Sequence, residues 1–195
     1  MASMLKNYLS GGYLAVIHRL DQPVEGLLVF AKTPGAAREL NRQLTSSGFG
    51  KYYRAIVSGI PEPSEGTLED YMVKDARSNT SRICTKNTPG AKAARLHYRV
   101  EKIFRDTSPV TSLVAIHLDT GRHHQIRVQM AHIGCPLVGD RKYGATYPAP
   151  ADPGKNTPPV NGENTESLRL CAYRLEFRHP ANRKLMTFSL SENPW

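Results

Sequence analysis

AARLHYRVEKIFRDTSPVTSLVAIHLD, residues 93–119, is the stretch that decides the fold class. Its two ends, 93–104 and 111–119, alternate apolar and polar side chains as half-buried strands do. Upstream, TLEDYMVKD (67–75) and SRICTK (81–86) repeat that pattern, so the middle of the chain reads as a run of antiparallel strands. YYRAIVSG (52–59) is a further strand, closed by the turn IPEPSEG. Working outward, YLAVIH (13–18) and GLLVFAK (26–32) are short buried strands separated by the turn-like DQPVE. Pro34 opens PGAARELNRQLTSSG, where Ala37, Leu40 and Leu44 recur at helical spacing, and a helix is expected over 34–47. RHHQIRVQMAHIG places Ile126, Met130 and Ile133 at helical spacing with Gly134 as the stop. Residues 146–166 hold five prolines and two glycines and are expected to form a surface loop. SLRLCAYRLEFRHP and KLMTFSLS close the chain as a hairpin. Strands in runs with two embedded helices make the fold class α+β with a largely antiparallel sheet.

Composition narrows the function. The chain has 195 residues, expected as a single domain over 1–195, with 39% hydrophobic and 22% charged side chains, as globular proteins have. A net charge of +9 and a pI of about 9.6 point to a polyanionic partner. Between Ala76 and Val100 the basic residues Arg77, Arg82, Lys86, Lys92, Arg95 and Arg99 occur with no acidic residue among them. That stretch is either a phosphate-contacting surface or a solvated pair of strands. Cys84, Cys135 and Cys171 lie far apart and form no Cys-x-x-Cys pair, and a reducing cytoplasm is the expected setting. The N-terminus holds no apolar run long enough for a signal or a membrane span, so no membrane partner is expected.

Three stretches set charged or hydroxyl groups beside buried elements: HRLDQPVEG (18–26), KYYRAIVSG (51–59) and TGRHHQIRVQMAHIGCPLVGDRKYG (120–144). Arg19 and Asp21 point the same way if the strand continues through Leu20. An Asp before Pro-Val-Glu-Gly is also what an ordinary turn looks like.

In this order the stretches resemble the signature of the RluA-type pseudouridine synthases. HRLD is followed by Gly26 five residues after Asp21, KYYRA supplies K-x-Y-x-A, and TGRHHQIR precedes AHIGCPLVGD and Tyr143-Gly144. With the tail LCAYRLEFRHP, the resemblance runs from about residue 12 to 190. It implies an α+β catalytic domain around a bent, largely antiparallel mixed sheet with flanking helices and loops. The implied activity is isomerisation of uridine to pseudouridine in structured RNA, ribosomal or transfer, without metal or organic cofactor; a monomer is expected.

Carried over by position, the resemblance makes Asp21 the catalytic carboxylate, Tyr53 the active-site tyrosine and Arg127 the partner of Asp21. Cleaving the bond from uracil N1 to ribose and rejoining the base through C5 needs a carboxylate, either as nucleophile or as base toward the ribose. Tyr53 would stack on the flipped uracil and help remove the C5 proton. Arg19 would fill the vacated base stack or hold phosphate, with Arg122 and Lys51 as further phosphate ligands.

His123, His124 and His132 raise the question of a metal site, but adjacent histidines on a helix point about 100° apart, and no HExxH spacing accompanies them. Two features depart from the family pattern. Gln22 and Val24-Glu25-Gly26 stand where Arg or Lys and Thr-Ser-Gly are common. Only 17 residues precede His18, where family domains usually place a strand and a Lys-Pro-x-Gly loop. With no S4-type appendage in the sequence, RNA affinity is expected from the catalytic domain itself. The alternative reading is an RNA-binding protein on the same fold with little or no turnover.

Overall fold

A computed structural model describes residues 2–46, 48–144 and 167–191. In chain order the elements are α1 (Ala2–Tyr8), β1 (Ala15–Val16), β2 (Glu25–Gly26), β3 (Phe30–Ala31), α2 (Pro34–Thr45), β4 (Gly50–Ser58), β5 (Glu65–Asp75), β6 (Thr80–Cys84), β7 (Lys92–Phe104), β8 (Thr111–Leu118), α3 (Gln125–His132), β9 (Leu170–Arg178) and β10 (Leu185–Ser189). The chain is divided into two compact units, Met1–Tyr52 with Ala172–Trp195, and Tyr53–Cys171. The expected loop 146–166 lies outside the described residues.

In the first unit, a core of Ile17, Ala31, Ala37, Leu40, Phe49, Leu175 and Phe177 is built from short elements. The sequence expects two strands over 13–18 and 26–32, but the second is shared between two partners. Its end pairs Phe30 and Ala31 with Val16 and Ala15. Its beginning, β2, joins β9, where the Leu27 amide donates to the Ala172 carbonyl at 2.9 Å. Helix α2 starts as expected: Thr33 caps it by accepting from the Ala36 amide, and Pro34 occupies the first turn, where its missing N–H costs nothing. It ends at Thr45 because Ser46 is extended. Buried Gln43 then does a strand's work toward β9, donating to the Arg178 carbonyl at 2.9 Å and accepting from the Arg178 amide at 2.8 Å. The hairpin of β9 and β10 matches the expected closing pair, with Leu185 opposite Arg178 and Ser189 opposite Arg174.

In the second unit the strands lie in the order β4, β8, β7, β5, β6. The described registers of β5 with β6 and β7, and of β7 with β8, are antiparallel. Alternation assigns the faces: Leu96 and Tyr98 are buried and sit opposite buried Leu118 and Ile116, while Arg95 and Arg99 face outward. One bulge falls between Val100 and Lys102.

Helix α3 is shorter than its sequence pattern suggests, because His124 before it is left-handed (φ 55°, ψ 27°). Residues 125–131 are buried all round, polar ones included. Gln125 satisfies its amide by accepting from the Arg122 amide and donating to the Arg95 carbonyl and Gln129, and Gln129 donates to Asp70 at 2.7 Å. A helix hydrophobic at every third or fourth position is thus buried on its polar side as well, its polar groups paired as burial demands.

Candidate active site

Asp21 stands in a turn whose shape comes from its neighbours. The Val24 amide donates to the Asp21 carbonyl at 2.7 Å, and two residues later Gly26 has φ +126°. A Cβ on Gly26 would lie 2.4 Å from the Ala172 carbonyl oxygen and 2.6 Å from its nitrogen, both backbone atoms. Only glycine lets the loop lie this close to β9, which is the physical reason for a Gly five residues after the Asp. Strand β1 ends at Val16, so alternation does not carry through Leu20, and the expected common direction of Arg19 and Asp21 loses its basis. Arg19 is exposed and Asp21 half-buried.

His18 packs edge-on against Phe49, with ring centroids 5.7 Å apart. Burial, then the positive charge of Lys51, lowers its pKa from 6.5 to about 4, and its buried Nε2 has no hydrogen-bond partner among the described residues. Lys51, expected to hold phosphate, is itself buried, with 7% exposure.

The two adjacent tyrosines of KYYRA separate to opposite faces of β4, whose burial alternates residue by residue. Tyr52 turns to β9, donating its phenol to Glu176 at 2.9 Å beneath the Arg174 guanidinium. Burial, then Glu176, raises its pKa above the usual tyrosine value. Tyr53 points to the buried side with Ala55 and Val57.

Arg127 lies in α3 with a side-chain exposure of 6%. Its Nε and Nη2 donate to Oδ2 and Oδ1 of Asp140 at 2.7 and 2.6 Å. Asp140 is fully buried at its side chain, and its Oδ1 also accepts from the amides of Lys142 and Tyr143. The Arg127 guanidinium lies over the Tyr143 ring, 5.0 Å from its centre. The Tyr143 hydroxyl accepts from the Ser81 amide and meets His124 Nδ1 at 2.7 Å. Asp140 and Tyr143 therefore hold the side chain of the candidate residue Arg127 in place. A linear reading sees only a turn at Asp140, although GDRKYG carries the signal: an acid followed at once by the amides that bind it.

His123 and His124 do not follow each other on a helix, because both precede α3. Their rings stack at 3.8 Å, and His123 Nδ1 meets Ser81 Oγ at 2.9 Å. Arg122 is half-buried and donates from Nε to the Ala93 carbonyl at 2.7 Å. Arg19, Asp21 and Lys51 thus belong to the first unit, and Tyr53, Arg122 and Arg127 to the second. All six basic residues of the acid-free stretch, Arg77 to Arg99, are exposed. No helix among the described residues is long and apolar enough to cross a membrane.

Residues 3–132 match the family of RNA pseudouridylate synthases. The chain is 36% identical over 179 residues to ribosomal large subunit pseudouridine synthase D of Haemophilus influenzae, covering 88% of this chain and 50% of the relative. It is 32% identical over 187 residues to RNA pseudouridine synthase 2, chloroplastic, of Oryza sativa, covering 89% of this chain and 41% of that one. The chain spans about half or less of the length of these relatives. Human RNA pseudouridylate synthase domain containing 4 has a similar fold, with a TM-score of 0.73 at 21% identity over 99% of this chain and 78% of the human one.

Proposed function

The chain belongs to the RNA pseudouridylate synthase family, and from that premise we propose that it isomerises uridine to pseudouridine in RNA, with large-subunit ribosomal RNA as substrate. The observation that carries this reading is Asp21, an intact carboxylate on a turn that Gly26 seats against β9. The substrate class is supported by the name of the relative from Haemophilus influenzae, a ribosomal large subunit pseudouridine synthase.

In the proposed reaction, the bond from N1 of uracil to C1′ of ribose breaks, the base turns, and C5 bonds to C1′. The C5 proton is lost and N1 gains one, so the reaction is balanced without a co-reactant. Asp21 acts at the sugar, as nucleophile or as base. Arg127, whose plane is fixed by its bidentate pairing with Asp140, is the candidate to keep the Asp21 carboxylate ionised, as the family resemblance implies. Tyr53, on the buried face of β4, is the candidate to stack on the extruded base and assist proton loss from C5. Arg19 and the exposed basic stretch neutralise phosphates. The setting we propose is the cytoplasm, in keeping with three free thiols.

The test is incubation of the purified chain with unmodified large-subunit ribosomal RNA and, separately, transfer RNA, followed by pseudouridine mapping. Conversion in ribosomal RNA supports the reading. Conversion only in transfer RNA moves the substrate, and tight binding with no product would establish the alternative of binding without turnover.

A further inference from the structure

We propose that His97, His117 and Asp119 form a binding site for one divalent transition-metal ion of the zinc class, on the outward face of β7 and β8. His97 and His117 are direct cross-strand partners, and Asp119 follows two residues after His117. Their neighbours Leu96, Tyr98, Ile116 and Leu118 are buried, so the strand pleat presents both imidazoles on the opposite side, each side chain a little over a third exposed.

The distances suit a metal. His97 Nε2 lies 3.0 Å from Asp119 Oδ2, and His117 Nδ1 lies 3.6 Å from Asp119 Oδ1. One ligand atom from each of the three residues falls within 4.8 Å of the others. With zinc-to-nitrogen and zinc-to-oxygen bonds of about 2.0–2.2 Å, the edge of a coordination tetrahedron is roughly 3.3–3.5 Å. The two measured distances run one to each oxygen of the Asp119 carboxylate and lie on either side of that value, and the set with one ligand atom per residue closes within 4.8 Å. Two imidazoles and one carboxylate are a donor set that zinc, cobalt and nickel take, with solvent completing the shell.

A residue outside the triad points the same way. His97 Nδ1 meets Thr67 Oγ1, on β5, at 2.8 Å. For Nε2 to bind a metal its proton must sit on Nδ1, and Thr67 is the acceptor that stabilises this tautomer. Thr67 is a positioning residue in this respect. The opposing feature is Arg95, whose Nε lies 3.2 Å from Asp119 Oδ2 and equally 3.2 Å from Glu69 Oε1. Glu69 gives the guanidinium a second anchor when a cation takes the Asp119 carboxylate. The site is remote in kind from the isomerisation chemistry and does not depend on it.

The test is titration of the tag-free, full-length chain with Zn2+ alone, by calorimetry, and with Co2+, by its visible absorption. The expected result is one saturable equivalent and cobalt bands of nitrogen and oxygen ligation without thiolate charge transfer. His97→Ala, His117→Ala or Asp119→Asn should each weaken binding tenfold or more, Thr67→Val less. Arg95→Gln should tighten binding severalfold, an effect that mere unfolding cannot produce. Thermal melts confirm that each variant is folded. Absence of saturable binding, thiolate bands, or a site that survives both histidine substitutions overturns the proposal.

Discussion

Arg127 and Asp140 form a bidentate ion pair that both side chains bury almost completely, with donor-to-acceptor distances of 2.7 and 2.6 Å. Two backbone amides complete the coordination of Asp140 Oδ1. Burying a charge is tolerated when it is paired and hydrogen-bonded, and Asp140 accepts three donors at Oδ1 and one at Oδ2; a residue held in this way has little freedom to leave its plane.

Removing either partner strands the other. Arg127→Ala or Asp140→Ala should cost about 3–5 kcal/mol, a fall in melting temperature of roughly 10 °C for a chain of this size. The two effects should not add in the double variant, because each single change already breaks the same pair. A calorimetric double-mutant cycle measures this, and additive losses would show that the pair does not act as a unit.

Gly26 is expected to be irreplaceable for reasons of backbone alone. Its φ of +126° and the Ala172 backbone within 2.4 Å of a Cβ leave alanine no room, since backbone cannot swing aside as a side chain can. Gly26→Ala should destabilise by at least about 2 kcal/mol and displace the Asp21 turn. Denaturant unfolding checks the first effect; an unchanged midpoint would mean that β9 yields.

His18 gives stability a definite pH dependence. Its folded pKa of about 4 lies below the usual 6.5, so the unfolded chain binds the proton more readily. The contribution is complete above pH 6.5 and falls away as pH drops toward 4, by up to about 3 kcal/mol. His18→Phe should melt with a shallower dependence on pH across that window. A slope identical to the parent's would show that His18 is not the group responsible.

Much of this is legible in the sequence, and the losses have physical causes. Period-two alternation locates β5 to β8 to within two residues because each strand buries one face only. Alternation fails at 26–32, where the five apolar side chains of 27–31 follow one another without a break and the segment serves two different partners, β9 and β1. Helical spacing places α3 but overextends it at its start, since nothing in the letters reveals that His124 is left-handed. The Arg127 partner within its own unit, Asp140, lies 13 residues on. His97 and His117 are joined by strand register, a relation that a linear reading does not display.

The exposed acid-free stretch is expected to bind RNA through phosphates. Arg77, Arg82 and Lys86 lie at the turn and edge strand that end the sheet order of the second unit. Replacing all three by Ala should lower affinity and flatten the log-log salt dependence by up to about three units, roughly one for each phosphate that is no longer neutralised. Unchanged affinity and slope would make the stretch a solvated edge and shift RNA binding to residues such as Arg19.

The most direct measurement is the conversion of uridine by Asp21→Asn beside the parent chain, on the RNA that the parent modifies. The substitution keeps size and shape, exchanges one accepting oxygen for a donating NH2 and removes the charge. We expect no detectable pseudouridine from the variant, with melting temperature and RNA affinity close to the parent's. Formation of pseudouridine at more than a trace of the parent rate would contradict the assignment of Asp21 as the catalytic carboxylate.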